Sequence, residues 1–131
     1  MNAADAGHLA WFRKAEHNLL SIRNNLGAAV VPWDNVVFDG QQAAEKYLKG
    51  FIVLHGGRPP KIHDLSRLLD LAVAHDSSLE SLRSSCIALT DAGYQSRYPG
   101  IADELGELQA RDAVTMAEAI CAAIRERTRN P

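Results

Sequence analysis

Arg58 and His63, with four residues between them, flank the stretch Pro59-Pro60-Lys61-Ile62. An imidazole titrates near neutral pH, so it can take a proton from a hydroxyl or return one to a departing oxygen. A guanidinium holds phosphate oxygens and offsets charge that builds on them in a transition state. The two prolines stiffen the stretch and exclude helix, while Arg58 and Lys61 set two cations beside a helix start, where free N–H groups already favour phosphate. Those parts suffice to cleave RNA without a metal, by attack of a ribose 2′-hydroxyl on its own phosphodiester. One histidine does not readily serve as both base and acid, so the chemistry calls for a two-fold dimer that brings a second Arg/His pair into the same cleft. A plainer reading stays open beside this one. Ten arginines and five histidines in this sequence give roughly 0.4 such spacings by chance. Arg58 is then a solvated loop cation, and His63 caps or packs against the next helix. Spacing and setting alone leave that plainer reading ahead.

Other chemistry finds no support. GxSxG, P-loop and GxGxxG sequences are absent. No Glu is followed three residues later by His, so a ferritin-like di-iron site has no ligands. His63-Asp64 is a lone doublet, and His55 is too near in sequence to join it around an ion. The expectation is no metal and no cofactor. Cys86 and Cys121 lie far apart on apolar stripes and read as buried thiols in a reducing cytoplasm.

The elements that must position Arg58 and His63 are helical. Phe12, Ala15, Leu19, Ile22 and Leu26 recur at helical spacing, predicting a first helix over 7–26 with Gly27 at its C-terminal cap. A second is expected over 35–55, capped by Asp34, with a buried stripe of Val37, Gln41, Ala44, Leu48 and Phe51. Gly40 inside it would let another helix approach closely. Gly56-Gly57 stops it. A third helix is expected to begin at 62–64 and run to 74, with Asp64 in its first turn. A fourth carries Leu79, Leu82, Cys86 and Leu89, then a loop from Ala92 to Gly100, and a fifth spans 109–127 with Ala113, Ala117, Ile120 and Ile124 inward. No strand alternation, repeat or low-complexity tract interrupts this series. The predicted fold is all-α: an antiparallel up-and-down bundle of four main helices plus a short extra helix.

The 131 residues suit one domain, 1–131, large enough to bury a core without disulfide or metal. A net charge of −2 argues against a general nucleic-acid coat protein but leaves room for a local basic site. No apolar run is long enough for a membrane span, and Met1 to Asp5 lack the basic-then-apolar pattern of a secretory signal, so a cytoplasmic location is expected.

Three blocks carry a more specific signal. The run from Phe38-Asp39-Gly40-Gln41-Gln42 through Glu45-Lys46-Tyr47-Leu48-Lys49-Gly50 resembles the signature of HEPN domains, the higher eukaryotes and prokaryotes nucleotide-binding family. So do Pro60-Lys61-Ile62-His63-Asp64-Leu65, with Leu68-Leu69 following, and Ser96-Arg97-Tyr98-Pro99, in the family's order. Trp11 and Trp33 fit as well. The resemblance implies a bundle that is usually dimeric, and in many members a metal-independent ribonuclease whose Arg-x4-His motif maps onto Arg58 and His63. It also implies RNA as substrate, and a toxin role beside an antitoxin. The alternative it implies is a non-catalytic module that binds a nucleotide or a minimal nucleotidyltransferase partner. A purely structural helical dimer is a third reading. Where one toxin branch carries a Tyr that such a partner modifies, this chain has Leu65, and Ile62 stands where the family often has Thr.

Substrate-binding residues expected beside the motif are Lys61, Gln42, Glu45, Lys46, Arg97 and Tyr98. Each has a structural alternative. Gln42, Glu45, Lys46 and Lys49 could line a cleft or form a solvated helix face. Arg97 and Tyr98 could contact phosphate and base, or anchor the loop with Tyr98 packed on the bundle and Arg97 paired to a carboxylate. Arg125, Arg127 and Arg129 read as dipole partners in a frayed tail.

Overall fold

Apolar side chains recurring every three or four residues make helices that must cover one another. The computed structural model describes residues 6–129 as α1 (His8–Leu26), α2 (Trp33–Leu54), the short α3 (Leu65–Val73), α4 (Arg83–Gln95) and α5 (Glu107–Arg129), with short 3₁₀ helices at Ser77–Leu82 and Ala102–Glu104. No strand occurs among the described residues, and the all-α bundle of four main helices and a short one is the observed class. The expectations resting on Met1 to Asp5, and the outer limits of the domain, lie outside the described residues.

Helix α2 is the axis. It packs against α1, α3, α4 and α5, which is why its buried arc reaches from Val36 and Val37 through Ala43, Ala44 and Leu48 to Phe51 and Ile52. Ala15, Leu19 and Ile22 of α1, Leu65, Leu68 and Leu69 of α3, and Ala113, Ala117, Ile120 and Ile124 of α5 complete the core, on the faces their spacing predicts. Phe12 stacks on Tyr47 with ring centroids 5.0 Å apart. Opposite Gly40, α5 comes close enough that a Cβ would meet Ala117 Cβ at 3.5 Å and the Ala113 carbonyl at 3.6 Å, ordinary contact distances.

Several helix ends differ from expectation. Asp34 does not cap α2. Pro32 holds that position, its carbonyl accepts from the Val36 N–H at 3.1 Å, and Asp34 sits in the first turn as a dipole partner. Helix α3 starts later than 62–64 because Asp64 is itself the N-cap: its carboxylate accepts from Ser66 N–H at 3.0 Å and from Ser66 Oγ–H at 2.8 Å. Leu79 and Leu82 belong to the 3₁₀ helix, and α4 continues through Ala92 to Gln95, so the expected loop begins four residues later. Helix α5 extends both ways beyond 109–127, and its last turn is tethered: Arg127 donates to Asp76 Oδ2 and Ser78 Oγ, each at 2.8 Å. Gly56 closes α2 with φ +84°, a conformation that favours glycine. Cys86 and Cys121 are free and buried. Among the described residues no helix is long and apolar enough to cross a membrane.

Candidate functional site

The bend between α2 and α3 lies against the middle of α2. Pro59 is buried, Gly57 N–H donates to the Ile52 carbonyl at 2.9 Å, and the His63 carbonyl accepts from Gln41 Nε2 at 3.0 Å. These contacts fix the backbone from which His63 projects. Its imidazole then meets α2 directly, with Nδ1 2.9 Å from Glu45 Oε1.

Glu45 is only 4 % exposed, and a buried carboxylate must be paired. Lys49 Nζ, also buried, lies 3.1 Å from Oε2, while Gln41 Nε2 donates to Oε1 at 3.0 Å. A charged carboxylate only accepts, so His63 Nδ1 carries the proton in this pair. The other ring nitrogen, Nε2, is then the one left outside this contact, on a side chain that is 62 % exposed. A buried acid thus sets the tautomer and direction of a solvent-facing imidazole.

Gln41 links this pair to the residues that follow α4. Its Oε1 accepts from Gln42 Nε2 at 2.8 Å and from Arg97 Nη2 at 3.4 Å. The Arg97 guanidinium lies 5.4 Å from the centre of the Phe38 ring, a cation–π geometry. Such proximity needs Gly93: a Cβ there would stand 2.6 Å from Gln41 Cγ. Gln41, His63, Asp64, Thr90, Tyr94 and Arg97 line a cavity of about 90 Å³. Among the described residues no group of three or more His, Cys, Asp or Glu gathers to hold a metal ion.

The sequence residues divide accordingly. His63, Glu45, Gln42 and Arg97 come together. Glu45 and Lys49 do not form a solvated face; both are buried, and Glu45 reaches His63 rather than solvent. Lys46 turns the other way, donating to Asn18 Oδ1 of α1 at 2.7 Å, with burial lowering its pKa. Arg58 and Lys61 are exposed on the bend and do not line the cavity. Arg97 contacts an amide and a ring instead of the expected carboxylate. Tyr98 is not packed into the bundle; it is 44 % exposed and rests on Tyr94, ring centroids 4.8 Å apart.

Residues 8–127 match the HEPN domain family. The chain belongs to that family. Its fold is also that of TT1696 from Thermus thermophilus, a crystal structure 27% identical with a TM-score of 0.77 over 91% of this chain and 96% of that one. No curated protein matches. Within this HEPN chain, the site residues that sequence reading passed over are Gln41, read as part of the apolar stripe, Tyr94, read as loop, and Thr90. One signal was present: Gln41, Glu45 and Lys49 stand four apart along the apolar stripe of α2, and a polar line there demands a partner.

Proposed function

We propose that this HEPN domain is a metal-independent endoribonuclease acting in the cytoplasm as a homodimer, with His63 as its proton-transfer group and Arg58 as its phosphate ligand. The observation that carries the reading is the Glu45–His63 pair at 2.9 Å, a buried acid behind an exposed imidazole. His63 Nε2 takes the proton of a ribose 2′-hydroxyl. The 2′-oxygen bonds to the adjacent phosphorus, the bond to the 5′-oxygen breaks, and His63 of a second copy protonates that leaving oxygen. The products are a 2′,3′-cyclic phosphate and a 5′-hydroxyl. Arg58 neutralises the phosphoryl oxygens during transfer, and Arg97 and Lys61 add positive charge near the strand. A toxin, silenced by an antitoxin partner, is the physiological role that fits an activity of this kind.

The test is cleavage of single-stranded RNA in EDTA. The wild type should leave cyclic phosphate ends, and Arg58→Ala and His63→Ala should each lower the rate by at least about 10²-fold, with helicity and oligomeric state unchanged. Full activity in His63→Ala would remove this reading. A second reading rests on the exposed Arg58, which lies outside the cavity: a module that binds a nucleotide, or a minimal nucleotidyltransferase, without cleaving. Nucleotide binding that survives in a wild type lacking RNA cleavage favours it.

A further inference from the structure

Beside the His63 cavity lies a wider groove of about 330 Å³ lined by Asp64, Ser66, Ile87, Thr90, Asp91 and Tyr94. The two hollows share Asp64, Thr90 and Tyr94, so the groove continues the cavity past the Tyr94 ring. Helix α4 builds its wall. Ile87, Asp91 and Tyr94 follow one another at helical spacing along one face of α4, and Tyr98 lies just beyond its end. The core uses none of the three large apolar side chains there, for Ile87 and Tyr94 are both more than half exposed and Tyr98 nearly so. The two tyrosines brace each other, their rings in tilted contact. Asp91 Oδ2 accepts from Gln95 Nε2 at 3.1 Å, which leaves acceptor capacity on the same carboxylate. Asp64, by contrast, is committed through Oδ1 to capping α3.

We propose that this groove is a nucleobase subsite that seats the base next to the phosphate at His63, stacked on Tyr94, with preference for guanine; the placement rests on the ribonuclease reading, the base recognition does not. An exposed aromatic face beside an aliphatic side chain suits a flat heterocycle, and stacking on aromatics is the usual device for holding an unpaired base. The charges bias the orientation. Arg97 stands at the cavity end and Asp91 at the groove end, with Asp64 lining both hollows between them, so a phosphate is drawn toward Arg97 and away from Asp91. The neutral base therefore fills the groove. A carboxylate rewards donors on the base edge. Guanine offers two adjacent ones, its ring N–H and its 2-amino group, and can satisfy both oxygens of Asp91 once Gln95 yields. Adenine and cytosine offer one amino group, and uracil one ring N–H.

The experiment titrates guanosine and uridine 3′-monophosphates into the full chain, followed by NMR shifts of backbone amides. Guanosine monophosphate should bind at least ten-fold tighter than the uridine nucleotide and shift amides across 87–94. Tyr94→Ala should weaken both by about ten-fold or more. Asp91→Asn should erase the preference while leaving uridine monophosphate binding as it was. Equal affinities for the two nucleotides, or wild-type affinity in Tyr94→Ala, overturns the proposal. So does a Tyr94→Ala protein that loses its dimer in gel filtration and keeps nucleotide binding, which gives the face to a second copy of the chain. A wild type that binds guanosine monophosphate but cleaves no RNA sinks the ribonuclease reading and leaves the subsite standing.

Discussion

On the proposed reading, one carboxylate, Glu45, serves stability and chemistry at once. It accepts from Lys49, Gln41 and His63, and only the last contact concerns the proposed reacting group. Glu45→Gln leaves the Lys49 ammonium buried without its counter-charge, a loss of about 3–5 kcal/mol for a broken buried pair. Adding Lys49→Met removes the stranded charge, and chemical denaturation should then show most of the stability restored. RNA cleavage should stay depressed in both variants, by about 10²-fold, because His63 has lost the charged acceptor that fixes its tautomer. Recovery of cleavage with recovery of stability would show that Glu45 only supports the fold.

Two glycines, both at helix crossings, separate the requirements of packing from those of the site at the level of elements. Gly40 faces α5 with room for a methyl group, and it carries the helix cost of glycine. Gly40→Ala should raise stability by about 0.5–1 kcal/mol, read as a higher melting temperature with cleavage unchanged. Gly93 faces Gln41, and a Cβ there would stand 2.6 Å from Cγ and 2.8 Å from Cβ. Gly93→Ala should cost about 1–3 kcal/mol and displace Gln41, which bridges Arg97 to the Glu45–His63 pair. A Gly93→Ala protein as stable and as active as the wild type would refute that role. The helix ends teach a related point. Asp34 and Asp64 are both acidic residues at a helix start, yet only Asp64 caps, because the proline before Trp33 places its own carbonyl where the chain turns into α2.

The molecule as a whole should weaken in alkali. Burial pushes the Tyr47 phenol and the Cys86 and Cys121 thiols up to about 12. All three are neutral in the fold, and their ionised forms are penalised there. Because the folded values lie above the ordinary ones, the stability they contribute is intact below about pH 9 and is lost as pH rises toward about 12. Urea midpoints should hold steady from about pH 7 to 8.5 and fall steeply above about pH 9, and the fall should be shallower in a Cys86→Ala/Cys121→Ala protein. The same burial predicts that neither thiol reacts with a disulfide reagent at about pH 8 until the chain unfolds.

Local pattern was enough to specify the bundle. Helical periodicity in α1, α2 and α5 is written in residues three and four apart, and it named Ala15, Leu19, Ile22, Leu48, Ile120 and Ile124 as core without reference to any distant part of the chain. The three HEPN blocks likewise stood in the chain to be read, as did His63. Which residues answer His63 was settled only in three dimensions. Glu45 is 18 residues from it and Arg97 is 56 from Gln41, separations that carry no periodic signal. Gln41 read as part of the buried stripe, while Glu45 and Lys49 read as cleft or solvated face, and burial decided between those two. Packing α3 and α4 onto α2 removes water from that polar line, and a desolvated charge must find its partners; Glu45 found Lys49 on its own helix and the imidazole across the bend.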